Sequence, residues 1–238
     1  MNYQLTLLEI AFDDLRSAEL LYQHNLHPQA IFFLQQSVEK VIKQLGINNG
    51  VIKPNELMTK VGHKPEIIFK KIVKQIKHLT NETDGDIDKS YNELKQLINN
   101  KNLHELKDVI LEQLSHYRSL SIGDDGLSAI IRTIIVKIKP TFYDELESNQ
   151  TLKQSYEGKL KQFIDAFPDY IKSVLMLFVI NSVISGHVSS VRYPEEKSFD
   201  NPSRIYNAQH ALIELMPTFI DDMKFIVKST MKSSMIFM

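Results

Sequence analysis

The sequence predicts an all-α protein, and three observations support this prediction. Apolar residues recur with the period of a helix, about 3.6 residues, in several long segments, most clearly in residues 27–45. Glycine and proline, eight of each in 238 residues, stand mainly between these segments, and valine-rich alternating strands with hairpin turns are not found. Residues 174–180 are apolar without interruption, which predicts a helix buried on all sides in the centre of a bundle.

The composition is that of a globular protein, with 43% hydrophobic and 24% charged residues. The net charge is −1, so any nucleic-acid-binding surface must be local. The absence of cysteine excludes disulfides, thiolate nucleophiles and cysteine-ligated metal centres. The first residues lack the basic segment of a signal peptide, and no apolar run approaches the ~20 residues of a membrane span. We therefore expect a cytoplasmic protein without membrane association.

The first two helices are expected to form an antiparallel hairpin. They span about residues 5–23 and 27–45, and the connection between them is short. Pro28 suits the first position of the second helix, and Gly46 stands where a C-cap glycine is expected.

Glu39 and Lys43 lie four residues apart on the second helix, in the order that favours an ion pair. One interpretation is an ordinary surface helix with a single ion pair. The other is that Glu39 pairs with Arg192 or Lys43 as a fixed structural contact, so that the polar edge formed with Gln36 borders a cleft or a dimer contact.

Residues 51–80 are the most basic part of the chain, with seven lysines and two glutamates. A third helix is predicted from about residue 63 or 65 to residue 79, and Lys70, Lys74 and Lys77 lie on its basic face. This face is either a solvated helix surface or a patch that binds phosphate groups, in which case binding would weaken with salt.

The middle of the chain has weaker signals. The acidic turn at 81–88 is the best candidate boundary, and it departs from the pattern of a calcium-binding loop. Helices are predicted over 88–98, 103–120, 127–139, 144–147 and 151–163, with a strand as the alternative at 130–138.

Two further helices are predicted near the C-terminal end. One follows Pro168 over residues 169–185 and ends at Gly186. The last begins with Asn201 as N-cap and Pro202 at the first position, and it runs to about residue 228 with Ala208 on its apolar face. The remaining tail either packs on the bundle or forms an oligomer contact.

Three separated segments together resemble the HEPN superfamily, the higher eukaryote and prokaryote nucleotide-binding domain. The first runs from A-x2-D-L-R-x-A-E-L-L at 11–21 into 28–45, where Gln36, Val38, Glu39, Lys40 and Lys43 fit the family's Q-x-V/A-E-K-x-x-K. The others are Gly62-His63 and Arg192-Tyr193-Pro194. The resemblance implies an antiparallel bundle of HEPN type with its core at about 5–80 and 166–230, and a helical insertion at about 82–165.

The resemblance also implies a range of functions. Family members include RNases of toxin–antitoxin and phage-defence systems, nucleotide-binding proteins and non-catalytic partners of nucleotidyltransferases. We therefore expect an RNA- or nucleotide-binding homodimer, with a nucleotidyltransferase or an antitoxin as a candidate partner. The residues expected to bind are Glu39, Lys43, Arg192, Tyr193, Lys70, Lys74 and Lys77.

One match to the family's RNase motif, R-x4-6-H, begins at Arg204 and ends at His210. Ile205 replaces the usual polar residue after the arginine. RNA cleavage without a metal needs a base for the ribose hydroxyl and a cation for the phosphate, the roles that His210 and Arg204 would have. Tyr206 and Asn207 could support His210. The alternative is that this spacing occurs by chance.

Three hypotheses follow from these patterns: a binding module, a metal-independent endoribonuclease, and a non-catalytic structural dimer or scaffold. Histidine pairs with metal-ligand spacing, Walker loops and G-x-G-x-x-G motifs are not found in the sequence. No cofactor and no metal site are therefore expected.

Overall fold

The computed structural model describes residues 3–57, 67–69, 71–72, 103–119, 150–187, 190–192 and 201–236. These ranges contain helices and no strands, which confirms the all-α prediction. The helices are α1 (Tyr3–Gln23), α2 (His27–Asn48), α3 (Leu103–Ser119), α4 (Gln150–Ile184), α5 (Pro202–Ile205) and α6 (Ala211–Ile236). Short 3-10 turns follow at Pro54–Glu56 and Ser185–His187, and residues 67–69 and 71–72 are helical.

Helices α1 and α2 pack along their length as the predicted hairpin. Their apolar faces are fully buried, and across the interface the Ser37 hydroxyl donates to the Ala11 carbonyl oxygen at 2.7 Å. The Lys40 ammonium and the Asp14 carboxylate form an ion pair at 2.5 Å. Helix α6 packs on α1, α2, α3 and α4, and it therefore lies at the centre of the described bundle.

Gly46 lies inside α2, so its prediction as a C-cap is wrong. A Cβ atom at this position would come within 2.8 Å of the Ile68 Cγ2 atom and 3.0 Å of the Ile52 Cγ2 atom. The glycine allows the segment around Ile68 to approach α2 closely. Beyond the helix, the positive φ angle of 64° falls on Gly50.

Helix α4 runs without interruption through Pro168, so the predicted helix start there is wrong. A proline removes one helical hydrogen bond, and inside a helix it costs about 3 kcal/mol. Packing of the following turns against α6 offsets this cost, since Leu177, Ile180 and Val183 are completely or almost completely buried. Phe178 is only partly buried, so the prediction of a helix buried on all sides is also wrong.

Within the described ranges, one segment, Pro168–His187, has the length and composition of a membrane-spanning helix, with a mean hydropathy of 1.3. Inside the bundle 44% of this segment is buried, and the core helix of a globular protein gives the same pattern.

The predicted last helix is two helices separated by a turn at residues 206–210. Asn201 caps α5 as predicted, and its side-chain oxygen accepts from the Ser203 amide at 3.0 Å. The prediction of one helix from Asn201 to residue 228 is wrong, because Tyr206 is buried in the core and Ala208 is exposed in the turn.

Helix α6 extends to Ile236, and its C-terminal turns pack on the bundle. Thr230, Ser233 and Ser234 are buried, and their hydroxyl groups donate to backbone carbonyls of the same helix. The Ser234 hydroxyl also accepts from the Asn48 amide at 2.8 Å. Packing on the bundle is therefore the arrangement that the structure shows for this part of the tail.

The predicted helix at 103–120 is confirmed as α3. The helices predicted at 88–98, 127–139 and 144–147, the alternative strand at 130–138 and the acidic turn at 81–88 lie outside the described residues. The division into a core and an insertion stays a prediction.

Candidate functional site at the junction of helices α5 and α6

His210 is the N-cap residue of α6. Its ring atom Nδ1 accepts a hydrogen bond from the Leu212 amide at 3.1 Å, and its carbonyl oxygen accepts from the Ile213 amide at 2.8 Å. Because Nδ1 is an acceptor, the proton of the neutral ring is on Nε2. The cap thus fixes His210 as a donor through Nε2–H.

Asn207 joins Arg204 to His210 across the turn. Its side-chain amide donates to the Arg204 carbonyl oxygen at 2.9 Å, and its own carbonyl oxygen accepts from the His210 amide at 3.0 Å. The Arg204 side chain is exposed and forms no ion pair with any described residue. Arg204 and His210 therefore flank one turn, and they are not spaced along a single helix as the sequence suggested.

Tyr206 is held from two sides. His27, at the start of α2, donates from Nδ1 to the Tyr206 carbonyl oxygen at 3.1 Å. The Tyr206 hydroxyl and the Nδ1 atom of His187, at the end of α4, share a hydrogen bond of 3.0 Å. The Tyr206 ring centroid lies 4.8 Å from that of His210. Tyr206 thus connects the ends of α2, α4 and α6.

His187 and His210 form a pair, with ring centroids 5.6 Å apart. Burial, and secondarily the charge of His210, lowers the pKa of His187 from 6.5 to about 4. Burial, and secondarily the charge of His104 on α3, lowers the pKa of His210. Both rings are consequently neutral at pH 7.

Arg192 lies at the same end of the bundle, since it follows α4 by a few residues. Its exposed guanidinium group is 4.3 Å from the centroid of the Phe32 ring on the second turn of α2. It is therefore stacked on an aromatic ring. Arg192 and Lys43 were the two predicted partners of Glu39. Among the described residues, Glu39 pairs with Lys43 and not with Arg192.

Glu39 and Lys43 form a buried ion pair at 2.7 Å, with side-chain exposures of 5% and 11%. Gln35 donates to the second carboxylate oxygen of Glu39 at 3.2 Å. Helical rise places Glu39 about 18 Å along α2 from His27. Of the predicted site residues, Arg192, Arg204 and His210 thus lie at the end of the bundle, whereas the Glu39–Lys43 pair lies in its interior.

Tyr193, Lys70, Lys74 and Lys77 lie outside the described residues. Among those described, groups of three histidine, aspartate or glutamate residues suited to a metal ion are not found. His187 directly follows Gly186, the predicted helix end, and the sequence provided no reason to select it as a functional residue. His27 and Phe32 were missed as functional candidates, because their roles depend on contacts between distant parts of the chain.

Comparison with known proteins gives a family match. The family model of the HEPN domain matches residues 5–121, which include α1, α2 and α3 and precede Arg204 and His210. The comparisons with curated proteins and with solved structures gave no match. HEPN domains belong to nucleotide- or RNA-related helical proteins, and they often dimerise. Together with the all-α fold, the match shows that the chain carries a HEPN domain over residues 5–121.

Proposed function

We propose that the chain binds phosphate groups of RNA or of a nucleotide at the junction of α5 and α6. The capping hydrogen bond of His210 carries this proposal, because it leaves Nε2–H as a donor beside the exposed Arg204. A guanidinium group and an N–H donor on one turn suit the oxygens of a phosphate. The N-terminus of the 26-residue helix α6 adds a favourable electrostatic field for an anion.

Arg192 favours RNA or a nucleotide over a simple anion. One side of its guanidinium group is stacked on Phe32, and the residue is otherwise exposed. Planar guanidinium groups and aromatic rings are the surfaces on which proteins stack unpaired bases. A phosphate at Arg204 and His210 would therefore have a stacking surface for its base at the same end of the bundle.

A metal-independent endoribonuclease is the second candidate, and the adjacent rings of His187 and His210 favour it. Cleavage needs a group that removes the proton of the ribose hydroxyl. His210 cannot do so while Nδ1 holds the cap, and in this state it can only donate. The geometry therefore supports binding better than cleavage.

The homodimer, the role in toxin–antitoxin or phage-defence systems, the partnership with a nucleotidyltransferase or an antitoxin, and the cytoplasmic location are proposals that rest on the family. The interior position of the Glu39–Lys43 pair supports a structural role for these two residues.

Fluorescence anisotropy with a labelled single-stranded RNA tests the binding proposal. Arg204→Gln should weaken binding about tenfold or more, equivalent to about 1.4 kcal/mol. Arg16→Gln, at an exposed arginine on α1, is the matched control and should leave the affinity unchanged. Wild-type affinity should also fall between about 50 and 200 mM salt. Equal affinities for all three proteins would contradict the proposed site.

His210→Asn separates binding from folding. Asparagine is a good N-cap residue, so the variant keeps the cap and loses the Nε2–H donor. We expect weaker RNA binding with an unchanged melting temperature. Incubation of labelled RNA with wild-type protein in EDTA tests the nuclease: cleavage that His210→Ala abolishes would favour the second candidate, and cleavage that survives would exclude His210 as its base.

A further inference from the structure

A groove of about 490 Å³ lies between α3, α4 and α6. Its volume is in the range of small-molecule sites. Pro217 borders the groove and lies about 10 Å along α6 from His210. The described residues that line it do not include Arg192, Arg204 or His210, so the groove is separate from the proposed phosphate site.

Arg118, on α3, presents a fixed guanidinium group to this groove. Its Nε atom donates to the Oδ1 atom of the buried Asp222 at 2.6 Å. The second carboxylate oxygen of Asp222 has no hydrogen-bond partner among the described residues, so Arg118 is held through Nε alone. The Arg118 side chain is 45% exposed. Its terminal Nη groups are therefore left to bind the oxygens of a carboxylate, which match the planar fork of arginine.

Lys172, on α4, is a second cation that lines the groove. It forms no ion pair with any described residue. A carboxylate in the groove would therefore meet two positively charged side chains whose hydrogen-bond donors are not used within the described part of the chain.

Asp221 places a carboxylate beside these cations. Its side chain is 75% exposed, and its partner Lys224, at 3.4 Å, also pairs with Glu19 at 2.7 Å. The hydrogen bond with Asp222 raises the pKa of Arg118 against partial burial, and the charges of Asp222 and Asp221 add to this increase, so the Asp221 carboxylate lies near the guanidinium group. Two cations and two carboxylates thus line the groove, and this balance suits a ligand with one charge of each sign.

The remaining lining of the groove is largely apolar. Met176 is buried, Pro217 is exposed, and the Phe225 ring on α6 is 37% exposed. An aromatic ring packs favourably against a second aromatic ring and against the thioether of methionine. The apolar side of the groove therefore suits a ligand with an aromatic ring.

We infer that the groove binds a free aromatic α-amino acid. Its carboxylate lies against the Nη groups of Arg118 and the ammonium group of Lys172, and its own ammonium group faces Asp221. Its ring lies against Met176 and Phe225. An α-amino acid carries both charged groups on one carbon atom, which suits the neighbouring Arg118 and Asp221 side chains, whereas a simple aromatic acid or amine lacks one of the two charges.

Calorimetric titration of the full chain with L-phenylalanine tests this inference against matched compounds. Hydrocinnamate lacks the ammonium group, phenethylamine lacks the carboxylate, and both keep the ring. L-Phenylalanine should bind about tenfold or more tightly than either compound. L-Alanine, which keeps both charges and lacks the ring, should bind more weakly by a similar factor.

Variants of the charged residues test the individual contacts. Asp221→Asn changes an exposed side chain, and it should abolish the preference for L-phenylalanine over hydrocinnamate. Lys172→Gln should weaken binding of both carboxylates and leave phenethylamine unchanged. Arg118→Gln should have the same effect, and if loss of the partner of Asp222 unfolds this variant, Lys172→Gln replaces it. Lys228→Gln, at an exposed lysine on α6, is the matched control and should change none of the affinities.

Three results would overturn the inference. They are no binding of L-phenylalanine at about 10 mM, equal binding of L-phenylalanine and hydrocinnamate, and a preference between these compounds that survives Asp221→Asn. Arg204→Gln should bind L-phenylalanine as the wild type does, so the RNA-binding measurements on that variant test the proposed function separately.

Discussion

Acid should destabilise the folded chain through His187. Partial burial of its ring, and secondarily the charge of His210, lower the pKa of this histidine from 6.5 to about 4. The unfolded chain therefore binds the proton more readily, so the contribution of His187 to stability is complete above pH 6.5 and is lost as the pH falls towards 4. At about 1.4 kcal/mol per pKa unit, the loss amounts to about 3 kcal/mol.

Urea unfolding followed by circular dichroism at a series of pH values measures this effect. Carboxylates also titrate in acid, so the difference between wild type and His187→Gln isolates the histidine. The free energy of unfolding of the wild type should fall by about 3 kcal/mol more than that of the variant between pH 7 and pH 4. His24→Gln, at an exposed histidine between α1 and α2, should follow the wild type. Parallel curves for wild type and His187→Gln would refute the reasoning.

Three further predictions concern stability. His210→Ala should lower the free energy of unfolding by about 1 kcal/mol through loss of the N-cap, and thermal unfolding should show His210→Asn close to wild type. Gly46→Ala should lower the free energy of unfolding by about 1–3 kcal/mol in urea unfolding, since the added Cβ meets the Ile68 side chain. Helix propensity alone predicts a higher free energy of unfolding for alanine, and that result would contradict the close approach of Ile68 to α2. Lys43→Met should lower the free energy of unfolding by about 3 kcal/mol, because Glu39 loses its buried partner. Adding Glu39→Gln should restore part of this stability. Equal stability of the single and double variants would indicate that the two residues are not coupled.

The sequence predicted much of the fold because local signals specify it. Apolar spacing placed α1, α2 and α3 close to their observed bounds, and Asn201 was correctly assigned as an N-cap. The predicted C-cap at Gly46 and the predicted helix start at Pro168 were wrong for the same reason. Glycine and proline usually end helices, but close packing against Ile68 and the core face of α4 override that preference.

Arg204 and His210 were chosen from the sequence because they match the family's R-x4-6-H motif, and their function stays a prediction. The structure adds the turn that separates them, since Asn207 bonds to the backbone of both. His187 could not be identified as a neighbour of His210, because nothing in the local sequence indicates that the end of α4 meets the start of α6.

The sequence by itself determined that this chain is an all-α protein, because helical periodicity and capping residues act over a few positions, and its motifs in residues 11–45 resemble those of a HEPN domain. Only the tertiary structure decided where the last helix breaks. The carbonyl oxygen of Tyr206 is bonded by His27, 179 residues earlier in the chain, and its ring is buried against His187. With Tyr206 held in this position, α5 ends at Ile205 and His210 caps α6. Arg204 and His210, which the sequence placed on one helix, therefore lie on either side of a turn at the end of the bundle.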